Sequence, residues 1–131
     1  MTFEKFEKGV VRLENLDVSA VLDLAKRSGM AAYVLSNVTD RDGFFNAIRA
    51  GLPLDPPLVS NRSWDALLDS LRGGLHVADA RRVVIVWPGI DAMEPAADRE
   101  TALDVLVSIA QTLAMPEYTR GRPTEISIVT S

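Results

Sequence analysis

Apolar residues recur along the chain in two patterns, short continuous runs and helix-like repeats. Three runs, residues 31–35, 82–87 and 125–129, have the length and composition of buried strands. Longer stretches with apolar residues every three or four positions separate them and predict helices. Long helical connections favour parallel pairing with right-handed crossovers. The predicted fold class is therefore α/β, with a small three-stranded parallel sheet packed by helices.

Four stretches carry apolar residues at helical spacing or between helix start and stop signals, and are predicted as helices: 17–28, 40–51, 63–71 and 95–114. A proline-rich segment, residues 52–59, predicts a loop before the third helix. Asn61 or Ser63 can cap this helix, and Gly73 and Gly74 are predicted to end it.

The first 30 residues are interpreted as an N-terminal extension to a domain formed by residues 31–131. Residues 10–13 can form a short extended piece, and the helix that follows is amphipathic. Its single apolar stripe is predicted to dock on the domain, where it can cover a sheet edge. Residues 1–8 carry acids and no apolar core, which argues against a signal peptide and favours the cytoplasm.

Charge and composition narrow the choice of partner. The 131 residues include 14 basic and 18 acidic side chains, with a net charge of −4 and no cysteine. Disulfides and thiolate chemistry are excluded, and no apolar run approaches the roughly 20 residues that span a bilayer. An acidic chain is a poor direct ligand for nucleic acid but suits a basic protein. We therefore expect no direct nucleic acid, no membrane and no small-molecule substrate among its partners.

Motifs for catalysis are missing. The chain has no dinucleotide-binding, serine-hydrolase or P-loop pattern. His76 is the only histidine, and no spacing supplies it with a nucleophile and an orienting acid, so a small hydrolase is a remote alternative. Residues 40–43 lack the further acids of a calcium loop. We expect no catalytic residue, no cofactor and no metal.

Asp65 and Asp69 are the pair of interest. They are four residues apart on a predicted helix and therefore share one face, with Arg72 three residues beyond Asp69. One interpretation is a solvated helix face with a weak ion pair between Asp69 and Arg72. The other is a binding face, and spacing alone leaves both open.

The stretch from Asn61 to Leu71, NRSWDALLDSL, resembles the core helix motif of the barstar family, the intracellular inhibitors of barnase-type ribonucleases. Residues 83–87, 103–113 and 125–131 resemble, in order, the family's middle strand, last long helix and C-terminal strand. The resemblance covers about residues 31–131 and implies a barstar-like domain without enzymatic activity. It also implies that the motif helix and the loop before it plug a ribonuclease active site, with Asp69 where RNA phosphate would bind.

The sequence departs from the family at aromatic positions: Leu68 lies between the two aspartates, and Val59 lies near the aromatic of the loop. These departures favour a target other than barnase. The hypothesis is an immunity-type protein that binds and occludes the active site of a basic ribonuclease or related toxin. The alternative is a barstar-like binding scaffold with a non-nuclease protein partner. The predicted partner-binding residues are Val59, Asn61, Asp65, Leu68, Asp69 and Arg72.

Overall fold

A computed structural model describes residues 9–131 as a mixed α/β fold, so the interpretation of residues 1–8 lies outside the described residues. The helices and strands in chain order are β1 (Gly9–Arg12), α1 (Val18–Arg27), β2 (Ala31–Val34), α2 (Arg41–Gly51), α3 (Trp64–Ala78), β3 (Arg82–Trp87), α4 (Ala96–Leu113), α5 (Pro116–Thr119) and β4 (Glu125–Thr130). A 3₁₀ turn, Ile90–Ala92, follows β3. Within residues 9–131, no helix is both long enough and apolar enough to cross a membrane.

The sheet is parallel, as predicted, but it has four strands in the order β1-β4-β3-β2. The prediction of three strands was wrong because β1 belongs to the sheet: it pairs with β4, with Gly9 opposite Ser127. An edge strand of four residues that alternates between half-buried and exposed positions has no apolar run to reveal it. The extension therefore contributes a strand as well as a helix.

Helices α2, α3 and α4 cover one face of the sheet and form the main core with it. The strand side chains buried on this face are Val83, Ile85, Trp87, Ile126 and Ile128. Trp87 is fully buried, and its ring centroid lies 5.1 Å from that of Phe44 on α2. The apolar runs of β3 and β4 are continuous because the opposite face is covered too.

Helix α1 covers that second face. Val21 and Ala25 of α1 pack against Val84, Val86 and Val129 of the sheet. The helix begins at an Asp17 cap, whose carboxylate accepts a hydrogen bond of 3.1 Å from the amide of Ala20. The apolar stripe of α1 docks on the domain as expected. It covers a face of the sheet and not an edge, because β1 is the strand that pairs with the β4 edge.

Helix α3 continues to Ala78, so the prediction that Gly73 and Gly74 end it was wrong. Both glycines lie where the preceding loop crosses the helix. A Cβ on either residue would come within 3.0 Å of a backbone oxygen, of Asp55 or of Pro53 respectively. The glycines therefore serve a close approach of two backbones, and they tolerate a helical conformation at a modest cost. Because α3 is longer than predicted, His76 lies in its last turn instead of between a helix and a strand.

Candidate protein-binding face

The orientation of α3 follows from its cap and its apolar stripe. Ser63 caps the helix, its hydroxyl accepting from the amide of Ala66 at 3.1 Å, so the alternative cap Asn61 is not used. Leucines on one side of α3 are buried in the main core: Leu67, Leu71 and Leu75. Asp65 and Asp69 consequently point away from the core and are both exposed.

The two carboxylates differ in their surroundings. Asp69 accepts a 2.8 Å hydrogen bond from Arg72 through Oδ1, and the two side chains are 62% and 41% exposed. Asp65 forms no hydrogen bond or ion pair within residues 9–131. Leu68, between them, is half-buried at the margin of the core. An exposed pair such as Asp69–Arg72 contributes little to stability and can be exchanged for contacts with a partner.

The loop before α3 is held by two arginines of α2. Arg49 donates from Nε to the carbonyl of Leu58 at 2.8 Å and from Nη2 to the Asn61 side-chain oxygen at 2.6 Å. Arg41 donates from Nε to the carbonyl of Asn61 at 2.9 Å. The Asn61 amide in turn donates to Asp42 at 3.1 Å. Asn61 thus takes part in three of these four hydrogen bonds by which α2 braces the loop, a role that the sequence pattern did not indicate.

Trp64 anchors the beginning of α3 by packing against α2. Its ring lies 5.0 Å from Phe45 and 5.9 Å from Phe44, centroid to centroid. The Arg41 guanidinium lies 5.1 Å from the Trp64 ring centroid, which is cation–π distance. Arg41 therefore contacts both the loop and the first turn of α3.

Val59 is the exposed tip of this braced loop. Its side chain is 91% exposed, while the neighbouring Leu58 is buried in the main core. We name the surface formed by the six predicted residues the α3 face: Val59, Asn61, Asp65, Leu68, Asp69 and Arg72. The loop supplies the first two and α3 the other four, so the structure brings loop and helix together by the bracing just described.

An open groove of about 420 Å³ borders the α3 face, and the sequence did not predict it. Asp69 and Arg72 line one side, with His76 further along α3. Thr112 of α4 and Tyr118 of α5 line the other. Helix α5 was not predicted either, because its four residues are too few for a periodic signal. No group of three or more metal-binding side chains is found within residues 9–131.

A family model described as Barstar (barnase inhibitor) matches residues 30–129. This range contains α2, the braced loop and the whole of α3, and it begins after β1 and α1. No curated protein and no solved structure matches the chain.

Proposed function

The chain belongs to the barstar family, and on that basis we propose that it is an immunity-type inhibitor that binds and occludes the active site of a basic ribonuclease or related toxin. The observation that carries the proposal is the α3 face, where two exposed carboxylates lie on a helix beside a loop braced by Arg41 and Arg49.

A carboxylate on a rigid helix can imitate the phosphate of RNA. A ribonuclease must concentrate cationic side chains around the scissile phosphate, and these groups form charge-assisted hydrogen bonds with a carboxylate equally well. Arg72 bonds only Oδ1 of Asp69, so Oδ2 is left for a cation of the partner. Asp65 lies one turn earlier on the same face and adds a second negative charge.

The bracing reduces the cost of binding. Side chains and loops that become ordered at an interface reduce affinity, and a preformed surface avoids this loss. Here the loop carrying Val59 is already fixed by the Arg49 and Arg41 hydrogen bonds. The chain's net charge of −4 also favours encounter with a basic protein.

A barstar-like scaffold with a non-nuclease partner is the second candidate. It is supported by Val59, the exposed apolar tip of the loop, and Leu68, which stand near the positions where the resemblance implies aromatic residues. Arg72 also neutralises part of the acidic character of the face. These features suit a partner whose surface is less basic than a ribonuclease active site.

Affinity capture from an extract of the source cell separates the two candidates. The immobilised chain should retain a basic protein that cleaves RNA after elution. Adding the purified chain back should stop cleavage at one molecule of chain per molecule of nuclease. A retained partner that does not cleave RNA, or a nuclease that cleaves unimpeded in the complex, contradicts active-site occlusion and favours the second candidate.

A further inference from the structure

The fold gathers basic residues at one end of the sheet. Because the strands are parallel, the segments that lead into β2, β3 and β4 meet at the same end: residues 26–30, 79–82 and 120–125. They hold six of the chain's 14 basic side chains and two of its 18 acidic ones. We name these basic residues the arginine end: Lys26, Arg27, Arg81, Arg82, Arg120 and Arg122. All six are exposed.

Direct contacts tie these segments into one surface. Arg82 donates from Nη1 to the carbonyl of Ser28 at 3.2 Å, which joins the end of α1 to β3. The amide of Glu125 donates to the carbonyl of Arg81 at 2.8 Å, which joins β3 to β4. Arg122 forms an ion pair of 3.4 Å with Asp79, and Arg81 and Arg122 line the same concavity of about 100 Å³.

An exposed aromatic side chain lies beside this surface. Tyr118 of α5 is 69% exposed, and it lines the groove of about 420 Å³ together with His76 and with Asp69 and Arg72 of the α3 face, which form an ion pair with each other. Arg122 Nη2 lies 3.4 Å from His76 Nε2, so the groove and the arginine end are continuous. The buried Thr119 hydroxyl donates to the carbonyl of Met115 at 3.0 Å, a bond within the single turn of α5.

We propose that the arginine end and the Tyr118 groove form a binding surface for single-stranded nucleic acid. The planar guanidinium groups of Arg81 and Arg122 match phosphate oxygens in a bidentate manner. An exposed aromatic ring beside a basic track provides a stacking platform for a base, as in proteins that bind single strands. A partner protein with an acidic surface would pair with the arginines, but its carboxylates would not stack on the Tyr118 ring.

The chain's net acidity does not oppose this proposal, because the charges are separated in space. Outside the three segments the chain carries eight basic and 16 acidic side chains, so the excess of acid belongs to other parts of the sequence. Electrostatic attraction to phosphate falls off over about 10 Å at 0.1 M salt, so the local cluster dominates. The proposal therefore departs from the expectation, drawn from total charge, that nucleic acid is not a partner.

The test is fluorescence anisotropy of a labelled single-stranded RNA of about ten nucleotides with the full-length chain at about 50 mM salt. The wild type should bind with an affinity that falls steeply as salt is raised. Arg81→Gln combined with Arg122→Gln should weaken binding at least about tenfold and flatten the salt dependence by about 0.7 per lost contact. Tyr118→Ala should weaken it at least about fivefold, and Tyr118→Phe should not.

Controls separate this surface from general attraction. Arg62→Ala removes one exposed charge before α3, away from the arginine end, and should leave RNA affinity unchanged. If the Arg81 and Arg122 double variant does not fold, Arg120→Gln is the substitute. Failure of the wild type to bind RNA would overturn the proposal. A preference for a polyglutamate peptide, or equal affinity for duplex and single strand without any effect of Tyr118→Ala, would overturn it too.

Discussion

Gly74→Ala is the substitution for which helix propensity and tertiary packing give opposite expectations. Gly74 lies inside α3, where alanine is normally favoured by about 1 kcal/mol because glycine costs backbone entropy. At this position, however, a Cβ would lie within 3.0 Å of Pro53 O, C and the amide nitrogen of Leu54. All three are backbone atoms, so no side-chain rotation can relieve the clash.

The loop must therefore move away from the helix. Overpacking of this kind costs about 1–3 kcal/mol. Displacing the loop also weakens the 2.9 Å hydrogen bond from the Asp55 amide to the Ser70 carbonyl, a further loss of about 1 kcal/mol. After the helix-propensity gain is subtracted, we expect Gly74→Ala to lower the free energy of unfolding by about 2 kcal/mol.

Thermal unfolding followed by circular dichroism measures this loss, which for a chain of this size is a fall in Tm of roughly 6–10 °C. Gly51→Ala is the matched control. Gly51 is also helical, but its Cβ would lie 3.7 Å from the Val34 carbonyl, an ordinary contact. Its Tm should be unchanged or slightly raised. A Gly74→Ala protein as stable as the Gly51→Ala protein would refute the close approach of loop and helix.

Three further predictions concern the bracing, the extension and an ion pair. Arg49→Ala should weaken partner binding several-fold in calorimetric titration, since the loop must then be ordered on binding; unchanged affinity would contradict the bracing. Removing residues 1–28 should lower the Tm and cause association in light scattering, because Val84, Val86 and the β4 edge are uncovered, while partner binding persists. The hydrogen bond from Arg12 lowers the pKa of Asp91. Because this pair is exposed, Asp91→Asn should lower the Tm only slightly at neutral pH, and the difference should vanish as the pH falls through that lowered pKa; a difference that stays constant with pH would contradict the role of the ion pair.

The strands and the long helices of the family-like part were predictable, apart from the end of α3, because their signals are local. The run 82–87 is continuous since both faces of β3 are covered, and α4 follows Pro95 as expected. β1 was not predictable as a strand of the sheet, because what defines it is pairing with β4 more than a hundred residues later. The two glycines were misinterpreted because a long-range backbone contact looks the same in sequence as a helix stop.

The candidate site also combines features that local spacing predicts with features that depend on long-range contacts. That Asp65 and Asp69 share an exposed face follows from their spacing on a helix. The hydrogen bonds from Arg41 and Arg49 to the loop join residues 9–20 positions apart and leave no periodic pattern. Tyr118 was missed for the same reason: its place in the groove that Asp69 also lines depends on how α5 packs against α4.

The comparison of Asp69→Ala with Asp104→Ala tests the central claim most directly. Each substitution removes one exposed carboxylate from a helix, α3 or α4, and Asp104 lies outside the α3 face. Removing a carboxylate that is buried against partner cations typically costs 2–5 kcal/mol, a range to which complexes of this family themselves contribute. The dissociation rate of the complex with the captured nuclease should thus rise at least about 30-fold for Asp69→Ala, with Asp65→Ala intermediate and Asp104→Ala close to wild type. Melting curves should change little, because the Asp69–Arg72 pair is exposed. An Asp69→Ala complex that dissociates no faster than the Asp104→Ala complex would contradict the assignment of the α3 face as the inhibitory surface.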